Sequence, residues 1–195
     1  PFILPSGWAS PVYIDCRKLI SYPKERQKMM DLAVQLLDDK IDFNKVDTVA
    51  GGETAGIPYA AWITQSTNKP MLYVRKKPKG FGRNAQIEGS LKEGSNVLLV
   101  EDLATDGASK ISFVNALRKA GAVVNDAFVV FFYGIFSGTL ETLEKEGITL
   151  HYLATWHDIL QVAMEGEYFP NSSIEGVKNF LDNPITWSKK NGGKG

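Results

Sequence analysis

Val97-Leu98-Leu99-Val100-Glu101-Asp102-Leu103-Ala104-Thr105-Asp106-Gly107-Ala108-Ser109 is the stretch on which the reading of this chain turns. Four consecutive apolar residues predict a strand covered on both faces, the signature of a parallel sheet. They run straight into two adjacent carboxylates. A Thr-x-Gly-x-Ser turn follows and opens a helix expected from about Ala108 to Ala120, with Ile111, Val114 and Leu117 on one face and Gly121 as its stop. A helix N-terminus offers unpaired N–H groups and a positive dipole end, which suits a phosphate. Gly107 lets the backbone approach the anion, and the Thr105 and Ser109 hydroxyls add donors. Glu101 and Asp102 can accept hydrogen bonds from vicinal hydroxyls or hold a magnesium ion through water. On its own the turn reads as a helix cap. Joined to the apolar run and the acid pair it reads as a ribose-phosphate site. Asp106, inside the turn, is expected to point outward and to lend only its backbone N–H, because an inward carboxylate would repel the ligand.

The same strand-turn-helix rhythm appears on either side. Val46 to Ala50 is predicted as a strand, Gly51-Gly52-Glu53-Thr54-Ala55-Gly56 as a tight turn suited to a second anion, and Pro58 to Thr64 as a helix. Met71 to Val74, Ala127 to Phe132 and Thr149 to Leu153 read as further strands, with a helix around Leu140 to Glu146. Before them, Val12 to Asp15 reads as a short extended run and Pro23 starts a helix carrying Met29, Met30, Ala33, Leu36 and Leu37. Two short helical stretches come last, and Asn191 to Gly195 read as a frayed tail. The alternation indicates an α/β fold with a central parallel sheet flanked by helices. Ligands in such sheets bind beyond the carboxyl ends of the strands.

Arg75-Lys76-Lys77-Pro78-Lys79-Gly80-Phe81-Gly82-Arg83 carries five basic residues in nine. Its glycines and proline disfavour a helix. A cationic loop of this kind closes over a reacting polyphosphate, excludes water and stabilises charge on the leaving group.

Composition limits the alternatives. The 195 residues suffice for one domain. Lys+Arg and Asp+Glu are 22 each, a net charge of zero that argues against a nucleic-acid binder. No apolar run approaches the ~20 residues of a membrane span. The single Cys16 cannot form an internal disulfide, which points to a reducing, cytoplasmic setting. With only His151 and His157 as histidines, a histidine-rich metal cluster is not expected. Trp8, Trp62, Trp156 and Trp187 are expected to anchor core or interface. The chain begins at Pro1 rather than Met, so a few native residues are expected to precede it.

The acid-pair block resembles the phosphoribosyl pyrophosphate signature of the type I phosphoribosyltransferases. The resemblance implies a Rossmann-like core with a small N-terminal hood. It makes the chain a single domain, 1–195, with the hood from about 1–22, the core about 23–183 and a tail 184–195. It implies that Glu101 and Asp102 bind the ribose hydroxyls, with Asp102 reaching Mg²⁺ indirectly through water and substrate. Leu103, Ala104, Thr105, Asp106, Gly107, Ala108 and Ser109 would hold the 5′-phosphate, and Glu53, Thr54 and Ala55 the pyrophosphate.

Within that family, Arg-Lys-x-x-Lys after a strand is similar to the mobile catalytic loop of the orotate phosphoribosyltransferases. That likeness makes Arg75, Lys76 and Lys79 the catalytic cations, some of which reach a neighbouring subunit's site in a homodimer with shared active sites. Ser6-Gly7, Ser10-Pro11 and Tyr13 resemble the segment that forms part of the orotate pocket, so Ser6, Tyr13 and Thr105 are the expected orotate contacts. The implied substrates are orotate and phosphoribosyl pyrophosphate, and the implied reaction yields orotidine monophosphate for pyrimidine (UMP) biosynthesis. Phe81, Pro5 and Ala55 stand where the family often has histidine, lysine and lysine. No arginine follows the strand ending near Phe132, where the family has one that contacts orotate. A purine phosphoribosyltransferase of the oxopurine type would place an acid at Thr105. A regulator that binds phosphoribosyl pyrophosphate would need an added nucleic-acid surface.

Overall fold

In the computed structural model, residues 1–4, 7–80 and 86–194 are described. They divide into two compact units: 16–132 with 138–153, and 1–15 with 133–137 and 154–195.

The larger unit is built on a six-stranded sheet. Its strands are β3 (Thr48–Gly52), β4 (Met71–Val74), β5 (Ile87–Glu88), β6 (Asn96–Ala104), β7 (Val123–Phe132) and β8 (Thr149–Thr155), in the order β5-β4-β3-β6-β7-β8. β3 pairs parallel with β4 and with β6, and β6 with β7, while β5 runs antiparallel to β4. The helices are α1 (Pro23–Lys40), α2 (Gly56–Thr67), α3 (Ala108–Lys119) and α4 (Thr139–Lys145). β6 explains the layering. Val97 and Leu99 point into a cluster with Phe113, Val114 and Leu117 of α3. Leu98 and Val100 point the other way, are equally buried, and lie on the strand against which α2 packs. A fully buried aliphatic side chain contributes roughly 1.5–3 kcal/mol.

α2 starts unusually close to the sheet. A Cβ on Gly56 would lie 2.3 Å from the Val100 carbonyl oxygen, so only glycine lets this helix begin against β6. The turn after β3 is thereby held beside the turn after β6. β6 itself runs past Val100 to Ala104, and its acid pair belongs to the strand end rather than to the loop.

The smaller unit contains a two-stranded ribbon, β1 (Phe2–Ile3) with β2 (Ala9–Ser10), and the helices α5 (Trp156–Glu165), α6 (Asn171–Asp182) and α7 (Pro184–Lys190). The extended run expected at Val12 to Asp15 forms no strand. Ser10 Oγ accepts from Val12 N–H at 3.2 Å and donates to the Val12 carbonyl at 2.7 Å, a local bond that takes the ladder's partners. Cys16–Ser21, the first residues of the larger unit, form a 3₁₀ helix. The expected tail also has structure. α7 occupies most of it, the Lys194 N–H donates to the Gly7 carbonyl at 2.9 Å, and Ser188 Oγ accepts from the Ala9 N–H at 2.9 Å.

α5 opens on a cap in which the Asp158 carboxylate accepts from the Thr155 N–H and hydroxyl, both at 2.7 Å. The Thr155 hydroxyl and N–H bonds hold the Asp158 carboxyl below its ordinary range. A depressed carboxylate stabilises the fold above its unfolded pKa and loses that effect as pH falls through the folded one. Asp158→Ala is expected to cost about 1 kcal/mol at neutral pH and progressively less in acid. Urea titrations at both pH values check this, and equal losses at both would contradict it. Among the described residues no helix is long and apolar enough to cross a membrane.

Candidate active site

Three turns leave the same edge of the sheet, from the carboxyl ends of β4, β3 and β6, which are neighbours in that order. The sequence-predicted phosphate, pyrophosphate and cation residues lie on these turns and the element ends that flank them, with Leu103 and Ala104 still in β6. The topology therefore brings together residues as far apart in the chain as Glu53 and Ser109.

The turn after β6 is closed by Gly107, whose φ of 79° is open to glycine at little cost. Asp106 is exposed, and its carboxylate Oδ1 accepts the Ala108 N–H at 3.2 Å, a side-chain contact within the turn that the sequence reading did not anticipate. The Thr105 carbonyl receives the Thr139 hydroxyl at 3.4 Å. Ala104 and Gly107 are buried, whereas Ala108 and Ser109 are exposed at the helix start.

The acid pair divides. Glu101 is buried and forms an ion pair with Lys110, Oε2 to Nζ 2.5 Å. The same oxygen accepts the Ser109 hydroxyl at 3.2 Å. Asp102 is only partly buried. Burial pushes its carboxyl above the ordinary carboxylate value, against the charges of Lys110 and Arg17 and the N–H groups of Asp102 and Leu103. Sequence reasoning missed both cations. The 3₁₀ helix that bears Arg17 packs against β6, which places a guanidinium within electrostatic reach of Asp102.

The turn after β3 carries Glu53, Thr54 and Ala55, of which Thr54 is exposed, and the Glu53–Thr54 peptide is cis. The Glu53 N–H donates to the Val74 carbonyl at 2.9 Å, and its Oε2 accepts the Lys76 N–H at 2.7 Å. The turn is thus tied to the base of the basic segment. Arg75 is anchored by its N–H to the Gln86 carbonyl at 2.8 Å and by its carbonyl to Gln86 Nε2 at 3.0 Å. Glu88 faces both larger cations. Its Oε1 pairs with Lys79 Nζ and lies 3.5 Å from Arg75 Nη1. The Lys79 bond and charge, then the Arg75 charge, hold the Glu88 carboxyl below its ordinary range.

Tyr13, in the smaller unit, is half-exposed and its ring lies 5.8 Å from that of Phe2. Ser6 and Phe81 lie outside the described residues. After β7 the chain runs Tyr133-Gly134-Ile135-Phe136 with no arginine, and the buried Tyr133 ring meets that of Trp156 edge-on at 5.7 Å.

Residues 18–135 match the model of the phosphoribosyl transferase domain family. The orotate phosphoribosyltransferase of Sinorhizobium medicae is 50% identical over 195 residues, which are 100% of this chain and 84% of that protein. The crystal structure of orotate phosphoribosyltransferase from Aeropyrum pernix superposes with a TM-score of 0.73 at 35% identity, covering 82% of this chain and 88% of that one. The Mycobacterium tuberculosis orotate phosphoribosyltransferase in complex with phosphoribosyl pyrophosphate gives 0.62 at 27% identity, over 75% and 82%. With three neighbouring turns on one sheet edge and likeness to these proteins over the whole chain, the chain belongs to the orotate phosphoribosyltransferase family of phosphoribosyl transferases.

Proposed function

We propose that this chain transfers the 5-phosphoribosyl group from phosphoribosyl pyrophosphate to orotate, giving orotidine monophosphate and pyrophosphate. The observation that carries the reading is the adjacency of the β4, β3 and β6 turns, which bear the residues read as cations, pyrophosphate donors and phosphate donors. In this reading the turn Thr105 to Ser109 holds the 5′-phosphate through backbone N–H groups at the start of α3. Asp102 accepts the ribose hydroxyls. Thr54, Ala55 and the Glu53 backbone receive the pyrophosphate. Arg75, Lys76 and Lys79 neutralise it as the anomeric bond breaks. No covalent nucleophile is required, and the protein's work is positioning and charge stabilisation. Thr105 borders the base, and Tyr13 and Ser6 are carried as base contacts on the family likeness.

The donor set fits magnesium that arrives with substrate. Among the described residues no group of three or more His, Cys, Asp or Glu gathers to cage an ion. A lone carboxylate plus substrate phosphates is the ordinary magnesium arrangement. Asp102 would hold the ion through water, and the ion would supply further neutralisation of the pyrophosphate.

The test is a panel of nucleobases with phosphoribosyl pyrophosphate and magnesium, read as pyrophosphate release. Release with orotate and not with purine bases supports the reading, and release with a purine alone overturns it. A homodimer with shared sites belongs to the same proposal. Mixing inactive Lys79→Ala and Asp102→Asn proteins should then restore part of the activity, whereas fully active monomers in sedimentation would refute the sharing.

Glu88 occupies the cations that the pyrophosphate needs. Glu88→Gln is expected to tighten pyrophosphate binding several-fold in calorimetry, with the gain shrinking as salt rises. An unchanged Kd would show that the carboxylate does not compete.

A further inference from the structure

Lys110 is the second residue after Ala108 in α3, and it is 4% exposed. Lysine is almost never buried unless paired. Its ammonium has three donors and meets three acceptors: Glu101 Oε2 at 2.5 Å, Ser109 Oγ at 3.1 Å and the Leu103 carbonyl. The Ser109 hydroxyl accepts from Lys110 and passes its own proton bond to Glu101. These partners stand on both sides of the phosphate turn, Glu101 and Leu103 at the end of β6 and Ser109 at the start of α3. The Glu101 stem also lies under the neighbouring turn, since a Cβ on Gly52 would come 2.7 Å from Glu101 Cγ.

A buried ion pair is weak evidence for stability, because desolvation offsets the attraction. Its effect is geometric. With one Glu101 oxygen filled by Lys110 and Ser109 and the side chain buried, Asp102 is the member of the pair left partly open at the strand end.

We infer that Lys110 is a positioning residue that clamps the phosphate turn to the strand end, that Glu101 is its buried counter-ion rather than a ribose ligand, and that Asp102 alone takes the ribose hydroxyls. The inference rests on the phosphoribosyl pyrophosphate reading and assigns roles within it.

The experiment is a double-mutant cycle of Lys110→Met and Glu101→Gln, with Asp102→Asn in parallel and both substrates varied. Lys110→Met is expected to lower kcat/KM for phosphoribosyl pyrophosphate at least tenfold while the KM for orotate moves less than twofold, a split that general loosening would not give. The double variant is expected to be no worse than Lys110→Met, because the two groups act as one pair. Multiplying losses would show Glu101 binding substrate independently and would overturn the inference. Glu101→Gln is expected to lose at least fivefold less than Asp102→Asn. This comparison decides the matter even if Lys110→Met does not fold, and equal losses would overturn the inference. Wild-type turnover of orotate is measured alongside. An inactive wild type overturns the functional reading and this inference together, whereas an active wild type with multiplying losses overturns only this inference.

Discussion

Lys79→Ala is expected to lower kcat at least a hundredfold while the KM for phosphoribosyl pyrophosphate rises only a fewfold. A hundredfold corresponds to about 2.7 kcal/mol of transition-state stabilisation, within the range for one preorganised charge or donor. The asymmetry follows from where Lys79 rests. In the free protein its ammonium is paired with Glu88, 25% exposed, so ground-state binding of substrate gains little from it. Its charge counts once the pyrophosphate becomes a leaving group and the site is drier than bulk water. Pro78 and Gly80 on either side keep the segment out of regular structure. Steady-state kinetics with both substrates varied give the answer. A near-normal kcat would make Lys79 an ordinary surface lysine paired with Glu88.

Asp102→Asn is expected to reduce activity and raise stability together. A charge-assisted hydrogen bond to a hydroxyl is worth roughly 1.5–3 kcal/mol; asparagine keeps one acceptor oxygen and loses the equivalent of one such bond, so kcat/KM for phosphoribosyl pyrophosphate should fall roughly ten- to two-hundredfold. The stability change has the opposite sign. Burial raises the Asp102 pKa in the folded state. The native state then holds the proton more tightly than the unfolded chain, so ionisation above the ordinary carboxylate range penalises the fold. Asparagine removes that penalty. The variant's Tm should exceed that of wild type at pH 7, and the gap should close as pH falls through the raised folded value to below about 4, where both states are protonated. A variant less stable than wild type at pH 7 would mean that the carboxylate is held by partners stronger than its desolvation.

The sheet was legible in the sequence wherever apolar residues run without interruption. Met71 to Val74 and Thr149 onward needed no tertiary information. β6 and β7 proved longer than expected for a common reason. Charged or polar residues at 101–102 and 125–126 read as strand ends, yet Glu101 stays in the ladder because Lys110 pairs with it, and Asp126 because His151 Nε2 lies 2.7 Å from its Oδ1. Lys110 itself was missed through residue type. The buried face of α3 runs Lys110, Phe113, Val114, Leu117, an i, i+3, i+4, i+7 stripe with a lysine in its first place. That spacing was the available signal. The glycine-rich C-terminus suggested fraying, because its anchors, Gly7 and Ala9, lie at the other end of the sequence and no local pattern announces them.

Strands in a sheet lie about 4.8 Å apart, so β6, β3 and β4 present their turns at intervals of one strand along roughly 10 Å. On the proposed assignment that edge would act as a ruler laid along the donor molecule, with the 5′-phosphate at one mark, the pyrophosphate at the next and the cations beyond. An intact donor touches all the marks at once, and each contact raises the effective concentration of the others. Breaking the anomeric bond cuts that ligand in two. The phosphoribosyl fragment would then keep only the β6 turn and the pyrophosphate only the other two, so each would lose the avidity of the whole, and the chemistry that completes the turnover would also loosen both products without any further movement of the sheet.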